Sequence, residues 1–124
     1  MKRVLIVEDQ SDIRTLIRMT LEFEDYEIYE AADGSAGLRA ARDICPDLVL
    51  MDIMMPGELD GLQVCQKIKG DPALRATKVV LLTARGQIRD REAGRAAGAN
   101  DYLVKPFSPL QLIEVIERQL DATA

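Results

Sequence analysis

Three short, uninterrupted apolar runs, Val4-Leu5-Ile6-Val7, Leu48-Val49-Leu50-Met51 and Val79-Val80-Leu81-Leu82, narrow what this chain can become. A strand with one wet face alternates apolar and polar residues. A strand that is apolar at every position is buried on both faces, as in a parallel sheet covered by helices. Ile28-Tyr29 and Leu103-Val104 read as shorter, more marginal strands. Between the runs the period becomes helical. Ile13, Leu16, Ile17, Thr20 and Leu21 fall on one helical face, with Ser11 as a candidate N-cap. Gly61, Val64, Cys65 and Ile68 repeat the spacing, as do Leu112, Val115, Ile116 and Leu120 after Ser108-Pro109, a pair suited to a helix start. Ala36 to Ala41 and Ile88 to Ala97 are Ala-rich helical stretches. Strands that alternate with helices, joined by right-handed crossovers, make a parallel sheet between two helical layers. The 124 residues suit one such domain, spanning residues 1–124.

Composition removes several function classes. With 48% hydrophobic but only 4% aromatic residues, the core is aliphatic. Lys+Arg 16 against Asp+Glu 21 leaves a net charge of −5, which disfavours autonomous nucleic-acid binding. The apolar runs are too short to cross a bilayer, and Met1-Lys2-Arg3 opens no signal-peptide pattern, so a soluble, cytoplasmic protein without membrane insertion is expected. Cys45 and Cys65 show no Cys-x-x-Cys spacing and read as buried small residues rather than redox sensors. The chain has no histidine, so any metal must take oxygen ligands, which points to a hard cation.

In open parallel sheets, ligands bind outside the carboxyl ends of the strands. Glu8-Asp9 follows the first run, Asp52 the third, Thr83 the fourth and Lys105 the fifth. Taken singly these are a pair of loop acids, a turn hydroxyl and a surface lysine. Together at one sheet edge they form a constellation. Converging carboxylates repel unless a cation sits among them, and Mg²⁺ favours a few carboxylate oxygens. A lysine and a hydroxyl facing them supply what the oxygens of a transferring phosphoryl group need. Asp52 is the candidate nucleophile because it ends the most central strand, with Glu8 and Asp9 as metal holders.

Val7-Glu8-Asp9, the run from Asp47 to Asp52, Met55-Pro56-Gly57, Leu82-Thr83-Ala84 and the run from Gly98 to Phe107 occur in this order over essentially the whole chain. In them the chain resembles the response-regulator receiver domain of bacterial two-component signalling. The resemblance implies a flavodoxin-like (βα)5 fold, with helices on both faces of a five-stranded parallel sheet in the order 2-1-3-4-5. It implies that Asp52 accepts a phosphoryl group from a phosphohistidine on a sensor histidine kinase or histidine phosphotransferase. Mg²⁺ would be held by Asp9, Asp52 and the main-chain carbonyl of Met54, with Glu8 acting mostly through water. Thr83 and Lys105 would grip the phosphate, Lys105-Pro106 would be a cis peptide, and Tyr102 would be an aromatic switch moving with Thr83. The surface of the fourth helix, fifth strand and fifth helix would then change for a downstream protein target.

The chain departs from the family pattern after Pro56, where Gly57, Glu58 and Leu59 precede Asp60 and lengthen the loop by one residue. Met54 and Arg85 stand at the positions that face attacking water in the family. Neither is an acid or an amide, so a long-lived phosphorylated state is expected. Two alternatives are a receiver excised from a longer regulator or hybrid kinase, and a Mg²⁺-dependent aspartyl-phosphate phosphatase. The haloacid-dehalogenase kind of phosphatase has an aspartate where Met54 stands. Ala93, Gln111 and Leu112 supply no charged pairing set, so a monomer is expected.

Overall fold

The computed structural model describes residues 1–84 and 88–121, apart from the side chains of residues 84 and 88–90. Along the chain it forms β1 (Lys2–Val7), α1 (Ser11–Leu21), β2 (Tyr26–Ala31), α2 (Gly34–Ile44), β3 (Leu48–Asp52), α3 (Gly61–Gly70), β4 (Lys78–Ala84), α4 (Ile88–Ala96), β5 (Asp101–Lys105) and α5 (Pro109–Asp121). A single 3₁₀ turn, Pro72–Leu74, lies between α3 and β4. All strand pairs are parallel and the order is β2-β1-β3-β4-β5, as the resemblance implies. The three apolar runs form β1, β3 and β4, the inner strands, and every residue of those runs is fully buried.

Strand parity divides the core in two. Leu5, Val7, Val49, Met51, Val79 and Leu81 face a cluster completed by α2 and α3, while Val4, Ile6, Leu48, Leu50, Val80 and Leu82 face α1 and α5. Gly94 sets α4 against the first of these faces, because a Cβ there would lie 2.6 Å from Leu81 Cδ1 and 2.9 Å from Tyr102 Cε1. Helices therefore cover both sides, α2, α3 and α4 on one and α1 and α5 on the other.

Some local expectations change. Ser11 is not the N-cap of α1 but its first residue. The cap is Gln10, because the Glu8 carboxylate takes the Gln10 N–H and the Gln10 carbonyl already accepts from Arg14 N–H. The buried face of α1 is narrower than the spacing suggests. Ile17 and Leu21 are buried, but Leu16 is 47% exposed and Thr20 turns its hydroxyl back to the Leu16 carbonyl. Cys65 is buried as expected, whereas Cys45 is exposed. It ends α2 in the left-handed conformation (φ 50°), which turns it out of the helix face. Helix α4 ends at Ala96, one residue short of the Ala-rich stretch. The Ser108-Pro109 start of α5 holds: Ser108 Oγ accepts from Gln111 N–H while Gln111 Oε1 accepts from Ser108 N–H. No helix among the described residues is long and apolar enough to cross a membrane.

Candidate functional site

The register places the acidic residues before any side chain is considered. Val7 pairs with Met51, so Glu8 and Asp52 stand side by side at the carboxyl edge of adjacent strands. By parity both belong to the α1/α5 side of the sheet, as does Lys105 at the end of β5. Asp9 opens the short turn into α1. One carboxylate oxygen from each of Glu8, Asp9 and Asp52 can be chosen so that all lie within 4.8 Å of one another. Glu8 is completely buried, Asp52 nearly so, and Asp9 is half-buried.

Lys105 reaches across from β5 and is the cation in contact with Glu8 and Asp52 among the described residues. Its Nζ lies 2.7 Å from Glu8 Oε1 and 3.3 Å from Asp52 Oδ1. The peptide from Lys105 to Pro106 is cis. One ammonium between two buried carboxylates leaves a net negative charge in a dry place. Burial, and then the neighbouring Glu8, push the Asp52 carboxyl up to about 7 against the pull of Lys105. Burial would lower the Lys105 ammonium, but the Glu8 and Asp52 carboxylates outweigh it and hold it above the usual lysine range. A buried cluster with surplus negative charge and closely spaced oxygen donors suits a hard divalent cation, and Mg²⁺ fits this donor set.

Behind the cluster, α3 starts directly on the end of β3. A Cβ on Gly61 would lie 2.2 Å from the Asp52 carbonyl oxygen, and Gly61 N–H donates to the Ile53 carbonyl. Met54 is 73% exposed beside the cluster, and its N–H donates to Asp52 Oδ1 at 3.3 Å. Thr83 is buried in β4 with register partner Val104, and its parity places it on the opposite side from Asp52, the side of Tyr102. Tyr102 is half-buried, with its hydroxyl on the Arg91 carbonyl at 2.7 Å. Arg85 lies outside the described residues.

Sequence reasoning passed over Arg14 and Glu30. Arg14 Nη1 donates to the Glu8 carbonyl at 2.7 Å, and its Nε lies 3.3 Å from Glu30 Oε1. No local pattern announces this pair, which forms only because β2 lies beside β1.

A doubly wound parallel sheet with carboxylates and a lysine at its carboxyl edge defines a class of α/β domains whose site lies outside the strand ends. Residues 4–117 match the family described as "Response regulator receiver domain", and the chain belongs to it. The chain is 42% identical over 111 residues to the transcriptional regulatory protein ResD of Bacillus subtilis, covering 90% of this chain and 45% of ResD. It is 39% identical over 116 residues to the phosphate regulon transcriptional regulatory protein PhoB of Escherichia coli, covering 94% of this chain and 50% of PhoB. It thus spans about half the length of these curated relatives. The solved structure of the chemotaxis response regulator CheY4 of Vibrio cholerae superposes with a TM-score of 0.90 at 32% identity, covering 97% of this chain and 99% of that one. The protein is a receiver domain of two-component signalling with the flavodoxin-like fold.

Proposed function

We propose that the domain is a phosphorylation-controlled switch whose phosphoacceptor is Asp52. The observation that carries this reading is the placement of Asp52. It is buried at the carboxyl end of the central strand, within 3.3 Å of Lys105 and beside the Glu8-Asp9 pair. An Asp52 carboxylate oxygen attacks the phosphorus of a phosphohistidine on a sensor kinase or histidine phosphotransferase. The P–N bond breaks, and the departing imidazole takes up a proton. Asp9, Asp52 and the Met54 carbonyl would hold Mg²⁺, with Glu8 acting through water; the ion supplies charge neutralisation for the phosphoryl oxygens. Lys105 and Thr83 take phosphoryl oxygens once Asp52 is modified. The domain promotes its own phosphorylation and dephosphorylation without being an enzyme acting on a separate substrate.

Lys105 leaves its carboxylate partners when it engages the new phosphoryl group, and Thr83 draws towards the same group. Tyr102 lies on Thr83's side of the sheet and is tied to α4 through Arg91. Movement of the two together shifts the population of the α4-β5-α5 surface towards a form that a downstream protein reads. This reading places the domain in the cytoplasm, as a monomer, without direct nucleic-acid binding.

The test is to phosphorylate the protein with radiolabelled acetyl phosphate and Mg²⁺, then treat it with hydroxylamine, which cleaves acyl phosphates. Label lost to hydroxylamine and absent from Asp52→Asn is the expected result. Hydroxylamine-resistant label, or equal label in Asp52→Asn, would overturn the assignment.

A further inference from the structure

Asp9 is the most accessible of the three clustered acids, yet among the described residues no N–H or side chain donates to its carboxylate. Its position is therefore set by the backbone of the turn that carries it. Arg14 meets that turn on both sides of Asp9, on one side through the ordinary first main-chain bond of α1 and on the other through its side chain. Arg14 N–H donates to the Gln10 carbonyl at 3.0 Å, and Arg14 Nη1 donates to the Glu8 carbonyl at 2.7 Å. The guanidinium is itself held from the far side by Glu30, whose Oε1 lies 3.3 Å from Arg14 Nε. The other Glu30 oxygen engages Arg18 Nη1 at 2.8 Å, which fixes the carboxylate in turn. Arg14 is mostly buried, with 22% of its side chain exposed.

Glu8 completes the picture. Its N–H donates to the Ala31 carbonyl, its Oε2 accepts from Gln10 N–H, its Oε1 accepts from Lys105, and its carbonyl accepts from Arg14. Of these, the Arg14 contact restrains the peptide that leads directly into Asp9. We propose that Arg14 is a positioning residue that shapes the Glu8-Asp9 turn for a divalent cation, with Glu30 orienting it; this rests on reading the acidic cluster as a cation site. The Arg14 side chain meets the Glu8 carbonyl and Glu30 and none of the three clustered carboxylates, so it acts through the main chain. Groups that orient metal ligands from outside typically change metal affinity by about ten- to a hundred-fold when removed.

The sign of the effect separates this role from simple electrostatics. Removing a positive charge near a cation site strengthens cation binding by Coulomb's law. Loss of the strap weakens it. The experiment is a Mn²⁺ titration of the full chain, followed by the electron paramagnetic resonance signal of free Mn²⁺, on wild type, Arg14→Met and Arg18→Met. Arg18 also pairs with Glu30 but does not reach the turn, so its variant controls for charge and for general loosening of α1. Arg14→Met is expected to bind Mn²⁺ more weakly than wild type by about ten-fold or more, and Arg18→Met, which acts on the turn only through Glu30, to lose clearly less. Equal or tighter binding by Arg14→Met, or equal weakening by Arg18→Met, would overturn the positioning role. A wild-type chain that binds no Mn²⁺ would overturn the cation site and this inference together. Should Arg14→Met fail to fold, Arg14→Lys keeps the charge without the planar fork that spans both partners. It is also expected to bind Mn²⁺ more weakly, and unchanged affinity would overturn the proposal.

Discussion

Replacing Asp52 by asparagine should stabilise the metal-free domain, although it removes the proposed phosphoacceptor. The folded protein keeps the Asp52 carboxyl at about 7, against an ordinary value of 3.8, because the group is buried beside Glu8 with Lys105 shared between them. Asp52 therefore binds its proton more tightly in the folded state than in the unfolded one. Folding stability falls as pH rises from about 4 to about 7, and the full cost is present above pH 7. The gap corresponds to about 4 kcal/mol. The attraction to Lys105 is already contained in that gap, so asparagine, standing in for the neutral acid, should recover much of it, and a net gain of about 2–4 kcal/mol is expected at pH 8. With a urea dependence of about 2 kcal/mol per molar, the unfolding midpoint should rise by about 1–2 M. Near pH 4 the protonated Asp52 and asparagine are close in shape and charge, and the two midpoints should converge. The assay is urea unfolding followed by circular dichroism in EDTA, at several values between pH 4 and 8. A lower midpoint for Asp52→Asn at pH 8, or a difference that does not change with pH, would refute the argument from burial and shared charge.

Gly61→Ala places a Cβ 2.2 Å from the Asp52 carbonyl oxygen and 2.8 Å from Ile53 Cα, and both are backbone atoms. A loss of about 1–3 kcal/mol in urea unfolding is expected, together with slower phosphorylation as the end of β3 shifts. Met54 is exposed beside Asp52 with only a thioether to offer water, so Met54→Asn should shorten the lifetime of the phosphorylated form several-fold, followed by loss of label over time. Burial would raise the Asp101 carboxyl, but hydrogen bonds from Arg118, the Tyr102 N–H and Gln119 outweigh it and hold it below the ordinary range. Its stabilisation is present above the unfolded value of 3.8 and is lost as pH falls through the lower folded value. Arg118 is 60% exposed, so Asp101→Asn should cost about 1 kcal/mol at pH 6, with the difference shrinking in acid unfolding below pH 4.

The inner strands are legible from sequence because burial on both faces leaves an unbroken apolar signature, and β1, β3 and β4 carry it in full. Strand β2 is harder. It is an edge strand whose Glu27 and Glu30 point to solvent and to Arg3, Arg14 and Arg18, so only Ile28-Tyr29 stands out. Its real extent, Tyr26–Ala31, comes from pairing residue by residue with β1. Helix α1 starts one residue earlier than a Ser11 cap implies, because the side chain that turns the chain there is Glu8, which no cap pattern includes. The acidic site is legible because strand ends converge by topology alone, and Glu8, Asp9, Asp52 and Lys105 each sit where an apolar run stops. Its shared lysine, the raised Asp52 carboxyl and the Arg14 strap depend on distances between elements far apart in sequence. Cys45 preceding Pro46 gave no sign of its left-handed backbone, and its exposure follows from that conformation.

The most direct test of the central claim is the intact mass of the protein after incubation with Mg²⁺ and acetyl phosphate, beside Asp52→Asn and an EDTA control. The account predicts a gain of one phosphoryl group, about 80 Da, that requires both the metal and Asp52. A folded wild-type chain that gains no mass in Mg²⁺, or an Asp52→Asn chain that gains the same mass, would contradict it.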